Sequence, residues 1–402
     1  MRISTSQFQR RAVETMLQQQ ARLSQTQQQL ATGKRILNAA DDPSAATRAM
    51  SLEREIATTR QHQLNAEDAF DRLAMEEDVL ASVTNLLQRA SELVVQGNND
   101  ILNAHDRNLI AVELREQLDE LLGLANTRSA NGEYLFAGFQ GNTMPFTQNG
   151  NGEVSFNGDQ GQRFVHVGPS VQVAASDCGA EVFQLIRSGN GVFRVQDDPA
   201  NTGTGVIGAS TVVGDFIPDD YSLTFLQAAP EDPVTFEVLD GANNLVASGT
   251  YVSGTAIGFN GVELEVSGTP QDGDRFSVTP SGHQDVFATI GQLIEVFEMP
   301  EDDPVSRAKL HNTVTRGLDE IHLALDNIGE IRASVGSRMN LVEDQKDYTG
   351  AFLLTAQETL SNLQDLDYTE AISRLQQQIT GLQAAQQTYL RLQDLSLFNY
   401  LR

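Results

Sequence analysis

Residues 16–37 read MLQQQARLSQTQQQLATGKRIL and residues 372–392 read ISRLQQQITGLQAAQQTYLRL. In the first stretch Met16, Leu23, Leu30 and Leu37 recur every seven residues. In the second, Leu375, Leu382 and Tyr389 keep that interval, with Ile372 and Ile379 interleaved and Leu392 following. A seven-residue apolar repeat holds one face of a helix toward a partner, so both ends of the chain read as coiled-coil elements. The other positions are mostly Gln, Ser, Thr and Arg. Glutamine-rich flanks pack against further helices at modest desolvation cost, where a Lys/Glu surface would resist. The stripe is narrow, and a lone helix carrying it gains too little burial to offset its ordering entropy. The reading is of ends that order on assembly into a layer of many subunits, with the ten stripe residues named here as the assembly interface.

Between the ends the pattern changes twice. The segment Asp41-Asp42-Pro43 places the end of one helix near residue 38 and the start of another near 43, with Asp41 or Asp42 at the cap. Val79, Leu80, Val83, Leu86, Leu87, Ala90, Leu93 and Val94 follow at three- and four-residue spacing, wider than a coiled-coil seam. Residues 97–100, Gly-Asn-Asn-Asp, break that helix, and Leu109, Val112, Leu114, Leu118, Leu121, Leu122 and Ala125 resume the pattern. Helical periodicity returns near 285 with Phe287, Ile290, Leu293, Ile294 and Phe297 on one face. Pro300 and Pro304 mark a turn, and a long amphipathic helix runs on from Leu310, with Gly336 and Gly350 as its weak points.

The middle is different in kind. Of 32 glycines, 21 lie between residues 141 and 282, and the same stretch holds 17 acidic but only 4 basic residues. Short alternating runs at 154–157, 163–167, 221–226, 234–239, 262–266 and 276–278 are separated by Gly, Pro, Asn and Asp. That is the pattern of an antiparallel β domain, sandwich-like or a partly open barrel. No βαβ rhythm is present, which excludes a doubly wound nucleotide-binding fold. The expected fold is multidomain: a mainly α-helical rod built from both chain ends with an inserted antiparallel β domain. Its parts are a terminal coiled coil (residues 1–42 and 350–402), an inner helical domain (43–140 and 283–349) and the acidic β insertion (141–282).

A net charge of −27 opposes nucleic acid and anionic membrane surfaces as partners. The start of the sequence lacks the apolar run of a secretory signal, and no window reaches 18 apolar residues, so the reading is of a chain that stays inside or leaves by a route without a cleaved signal. A single cysteine, Cys178, permits no internal disulfide and reads as an inert loop thiol. The six histidines fall in no metal-binding spacing, and Asp41-Asp42 reads as a cap rather than a metal pair. The glycines at 189, 191, 203, 205 and 208 lack the Lys-Ser/Thr ending of a phosphate loop. Nothing here supports an enzyme, a metal or a cofactor.

The motifs at both ends resemble the flagellin family. Residues 30–36 (LATGKRI) followed by Asp41-Asp42-Pro43, the segment Leu87-Gln88-Arg89 with Glu92, Leu93 and Gln96, Gly336-Ser337-Arg338 with Asn340, and residues 365–371 (DLDYTEA) with the closing Leu395-Ser396-Leu397 are similar to the family's two helical regions. Residues 131–138 (NGEYLFAG), and Gly268-Thr269-Pro270 with Gly273-Asp274-Arg275-Phe276, look like the hook–filament junction members more than filament flagellin. The resemblance implies a structural adaptor that leaves the cell unfolded by type III export, its C-terminal helices held by a cytosolic chaperone. It implies a ring of its own copies between the hook-side junction protein and flagellin, outside the cell. In flagellins the segment matching 87–96 is also read by an animal innate-immune receptor, which makes Arg89 and Glu92 candidates for that role. Filament flagellin itself, and a surface adhesin acting through the β domain, are the alternatives.

Overall fold

The computed structural model describes residues 5–229, 231–300 and 303–394. The chain forms two compact units, one drawn from residues up to 64 and from 345 onward, the other from residues 65–344.

The first unit holds α1 (Thr5–Thr32), the opening turns of α2 (Pro43–Gly97), the closing turns of α6 (Pro304–Gln364) and α7 (Tyr368–Asp394). Helix α1 stops at Thr32, earlier than the expected 38. The cause is a long-range backbone pairing. Gly33 turns to φ +69°, Lys34 bridges Asp365, the Arg35 N–H donates to the Gln364 carbonyl at 2.7 Å, and the Leu366 N–H donates to the Gly33 carbonyl at 2.9 Å. Glycine is required at 33 for its left-handed backbone, and also for space, since a Cβ there would sit 3.0 Å from the Tyr368 hydroxyl. Leu37 therefore lies in the following turn rather than on the helix. That turn is held by Asp41, whose Oδ2 accepts from the Leu37 and Asn38 N–H groups at 3.0 Å. Asp42 caps α2 through the Ala45 N–H, also at 3.0 Å.

The expected weak points in α6 do not break it. The helix runs 61 residues through Gly336 and Gly350. A glycine in a helix interior costs about 1 kcal/mol, which packing along a long helix absorbs. The bend falls instead at 365–367, where the Asp367 carboxylate caps α7 through the Thr369 and Glu370 N–H groups at 2.8 and 3.2 Å. A small core of Ile56, Leu353 and Ala356, flanked by Leu52, Phe352 and Leu360, packs the α2 and α6 ends together.

The second unit packs α2, α3 (Ala104–Ala125), α5 (Val286–Phe297) and α6 around one apolar core, with the short α4 (Gly179–Phe183) beside it. The α2 stripe 79–94 and the α5 face are buried as expected. Leu109 and Val112 are not: α3 turns Ile110, Ala111, Leu114, Leu118 and Leu121 inward, and the Asn103 side chain caps its start by accepting from the Asp106 N–H. Close helix approach needs glycine at two points. A Cβ on Gly97 would meet the Phe297 ring at 2.4 Å, and one on Gly317 would meet Leu293 at 2.7 Å. Three short strand pairs, β1 (Phe146–Gln148) with β2 (Val154–Phe156), β3 (Phe164–His166) with β4 (Gln172–Ala174), and β5 (Ile186–Arg187) with β14 (His283–Gln284), lead into and out of the β insertion.

The remaining strands are β6 (Phe193–Asp197), β7 (Val206–Val212), β8 (Tyr221–Leu226), β9 (Thr235–Leu239), β10 (Leu245–Thr250), β11 (Ala256–Phe259), β12 (Val262–Ser267) and β13 (Arg275–Pro280). They form antiparallel sheets in the orders β10-β9-β8-β13-β6 and β11-β12-β7. The two faces share a core that includes Phe193, Leu223, Phe225, Leu264 and Phe276, so the insertion is a sandwich. Helix α6 covers its β6 and β7 edges, which protects backbone groups that would otherwise invite another strand. Buried Asn312 donates to the Gly205 carbonyl at 3.0 Å and accepts from the Ile207 N–H at 2.7 Å. Asp197 and Arg194 on β6 pair with Arg316 and Glu320 at 3.5 and 3.6 Å. Asn312→Leu should leave a buried donor and a buried acceptor unmatched and lower unfolding stability by about 2–4 kcal/mol, read as a reduced urea midpoint.

Candidate functional site

Helices α1 and α7 contain no proline and are rich in Gln, Leu, Ala and Arg, all good helix formers. Their threonines bond back one turn instead of competing with the helix, as Thr26 does to the Arg22 carbonyl at 3.0 Å and Thr380 to the Gln376 carbonyl at 2.9 Å. The two helices pack against each other. Their direction is antiparallel: Gly33 at the end of α1 meets Tyr368 at the start of α7, whereas Gln19, farther up α1, meets Gly381, farther along α7.

The inward positions follow alternating steps of four and three. On α1 they are Ala12, Met16, Gln19, Leu23, Thr26 and Leu30; on α7 they are Ala371, Leu375, Gln378, Leu382, Ala385 and Tyr389. The large apolar members are only half-buried. Polar layers separate them. Gln29 is satisfied by the Arg35 carbonyl at 2.7 Å, but the side-chain oxygens of Gln19 and Gln378 are buried without a donor. Gly381 leaves room for the Gln19 amide, whose nitrogen lies 3.5 Å from the place a Cβ would occupy. Stripe counting misses these layers, because it registers apolar residues and passes over polar ones at the same heptad positions.

Six of the ten residues expected at the interface thus share one intrachain seam: Met16, Leu23, Leu30, Leu375, Leu382 and Tyr389. Within one chain these six residues pair α1 with α7. Ile372 and Ile379 are not in that seam. They point outward, 47% and 37% exposed, on one edge of α7 with Tyr368 and Leu390 at 52% and 60%. On α1, Val13 and Leu17 are likewise exposed. Leu37 is half-buried in the turn after α1. The Leu392 side chain lies outside the described residues, as does Leu395-Ser396-Leu397.

Arg89 and Glu92 lie on an exposed face of α2 and bond each other at 3.1 Å. Arg89 also holds Glu113 of α3 at 2.7 Å, and the two carboxylates, Glu113 foremost, make its guanidinium keep its proton more tightly than usual. That links α2 to α3 and leaves most of the Glu92 side chain open to solvent. Cys178 is buried at the start of α4, and burial pushes its thiol up, away from the reactive thiolate. Among the described residues no group of three or more His, Cys, Asp and Glu is placed to hold a metal ion, and no helix is long and apolar enough to cross a membrane.

The site is therefore a surface: a half-closed seam with an apolar edge beside it. Gln378→Leu should remove an unmatched buried oxygen and stabilise the pair by about 1 kcal/mol, measured as slower protease cleavage within residues 368–394.

The model of the bacterial flagellin N-terminal helical region matches residues 3–141, and that of the C-terminal helical region matches residues 318–401. The chain is 25% identical to flagellar hook-associated protein 3 of Escherichia coli strain K12, over 99% of both chains. Similarity to flagellin FlaB1 of Treponema pallidum reaches 31% but covers 28% of this chain and 39% of that one. Among solved structures, Xanthomonas campestris FlgL is 33% identical with a TM-score of 0.73, covering 77% of this chain and 99% of that one. Hook-associated protein-3 of Legionella pneumophila is 32% identical with a TM-score of 0.74, covering 78% and 98%.

Proposed function

This chain belongs to the family of flagellar hook-associated protein 3, and we propose that it enters the flagellum through the surface formed by α1 and α7. It is a structural adaptor of the hook–filament junction. Likeness to hook-associated relatives along the whole chain, against a partial likeness to flagellin, favours the adaptor over a filament subunit.

The observation that carries the assembly reading is the apolar edge of Tyr368, Ile372, Ile379 and Leu390, exposed beside a seam that the chain alone closes only halfway. Neighbouring helices complete both. Copies of the chain form a ring, bounded by the hook-side junction protein on one side and flagellin on the other, outside the cell. The chain travels there unfolded through type III export, and a cytosolic chaperone covers the apolar edge of α7 beforehand. The division of labour follows the three sequence segments: residues 1–42 and 350–402 assemble, residues 43–140 and 283–349 support them, and residues 141–282 form the acidic insertion.

Ile379→Asp separates assembly from folding, because Ile379 faces solvent. The expected result is a chain that is exported and folded, with unchanged circular dichroism, but absent from the junction, so that cells shed flagellin and lose motility. Filaments of normal length and normal swimming with this variant would refute the reading.

A further inference from the structure

Helix α2 carries two charged residues one turn apart, Arg72 and Glu76, and each is left with unused hydrogen-bonding atoms inside the protein. Glu76 is 1% exposed. Its Oε1 accepts from the Asp177 N–H at 3.0 Å, and its Oε2 has no partner. Arg72 donates once, from Nη1 to Glu133 Oε2 at 3.3 Å, and its Nε and Nη2 are buried without an acceptor. An orphan acceptor and two orphan donors thus sit at i and i+4 on one helix, the spacing at which an arginine and a carboxylate meet.

The surrounding charges explain why they do not meet here. Asp177 binds Glu76 through its N–H, and its own carboxylate is held by Arg338 on α6 and by Gln162 at 2.9 Å. Arg338 also donates to the Ala174 carbonyl at 3.1 Å. Glu133 holds a second arginine, Arg163, at 2.5 Å, which keeps its carboxyl below the usual range and anchors Arg72 on that side. The charged groups around Glu76 are therefore Asp177, Arg338 and Arg72. Burial, reinforced by Asp177, pushes the Glu76 carboxyl up to about 8. A neutral Glu76 leaves Arg72 with Glu133.

We propose that Arg72 is a proton-operated arginine latch, bound to Glu133 while Glu76 is protonated and drawn to Glu76 when that proton is lost. The proton leaves the Glu76 carboxylic acid for solvent, and Arg72 stays charged throughout. The only exchange is of acceptor, from Glu133, which keeps Arg163, to the newly formed carboxylate one turn away. The latch therefore reports alkaline pH at the point where α2 meets the 129–133 turn and strand β3.

The sign of the linkage follows from the two states. A free glutamate releases its proton near 4.5, while Glu76 in the folded chain holds it to about 8. The folded state binds the extra proton between these values, so its advantage is complete below the lower one and is lost as pH rises to the upper one. Relative to Glu76→Gln, the folded-to-unfolded ratio of the full chain should fall about tenfold per pH unit between about 5 and 8. In protein labelled with ¹⁵N-arginine, the Arg72 Nε signal should move with the Glu76 titration and stand still in Glu76→Gln. Glu133→Gln, at a partly exposed site, frees Arg72 and should lower the Glu76 midpoint. Parallel stability curves for wild type and Glu76→Gln, a motionless Arg72 signal, or an unchanged midpoint in Glu133→Gln would each overturn the latch.

Discussion

An antiparallel contact between residues 5–32 and 368–394 closes the chain on itself, and the rest of the topology follows from that closure. Because first and last helices are partners, everything between them must leave and return. The β sandwich is then necessarily an insertion, entered after α3 and left before α5. The backbone bridge at Lys34 and Asp365 pins the start of the contact, and the glycine beside it admits both the turn and the tyrosine that follows.

The seam is built to hold without being complete. Its leucines are half-buried and the positions between them are small or polar, with two glutamine oxygens buried and unmatched. A buried polar group at a heptad position costs stability and restricts register. A fully apolar seam would satisfy the pair alone. This one leaves the ends with apolar surface still to bury, in keeping with a chain whose family assembles into the flagellum.

The second unit follows the opposite rule. Its helices and sandwich bury large aromatic side chains completely, and its internal charges are arranged in connected groups: Arg194, Asp197, Arg316 and Glu320 where α6 covers the sandwich, and Glu76, Asp177 and Arg338 between α2 and α6. Charges placed inside a protein need partners on every side. Where a partner is missing, as at Glu76, the group keeps its proton instead.

Periodicity makes the helical ends, the inner helices and the strand-rich middle legible in the sequence, and six strands are readable from alternation alone. Strands β7, β10 and β11 are not, because their alternation is diluted by Gly, Ser or Thr and their inward side chains are defined only by the sheet they join. The apolar repeat reaches Leu37 and so places the end of α1 too late, while the helix is cut at Gly33 by a strand-like contact with residues more than 300 positions away. By itself the sequence determined which side chains share a face, since a helix or strand carries its own period. Only the tertiary structure decided what each face meets: Leu375 and Leu382 turned to α1, Ile372 and Ile379 turned to solvent, and Arg72 held by Glu133 rather than by its helical neighbour. A period sets angles about one axis, whereas burial and ionisation depend on neighbours that folding brings from elsewhere in the chain.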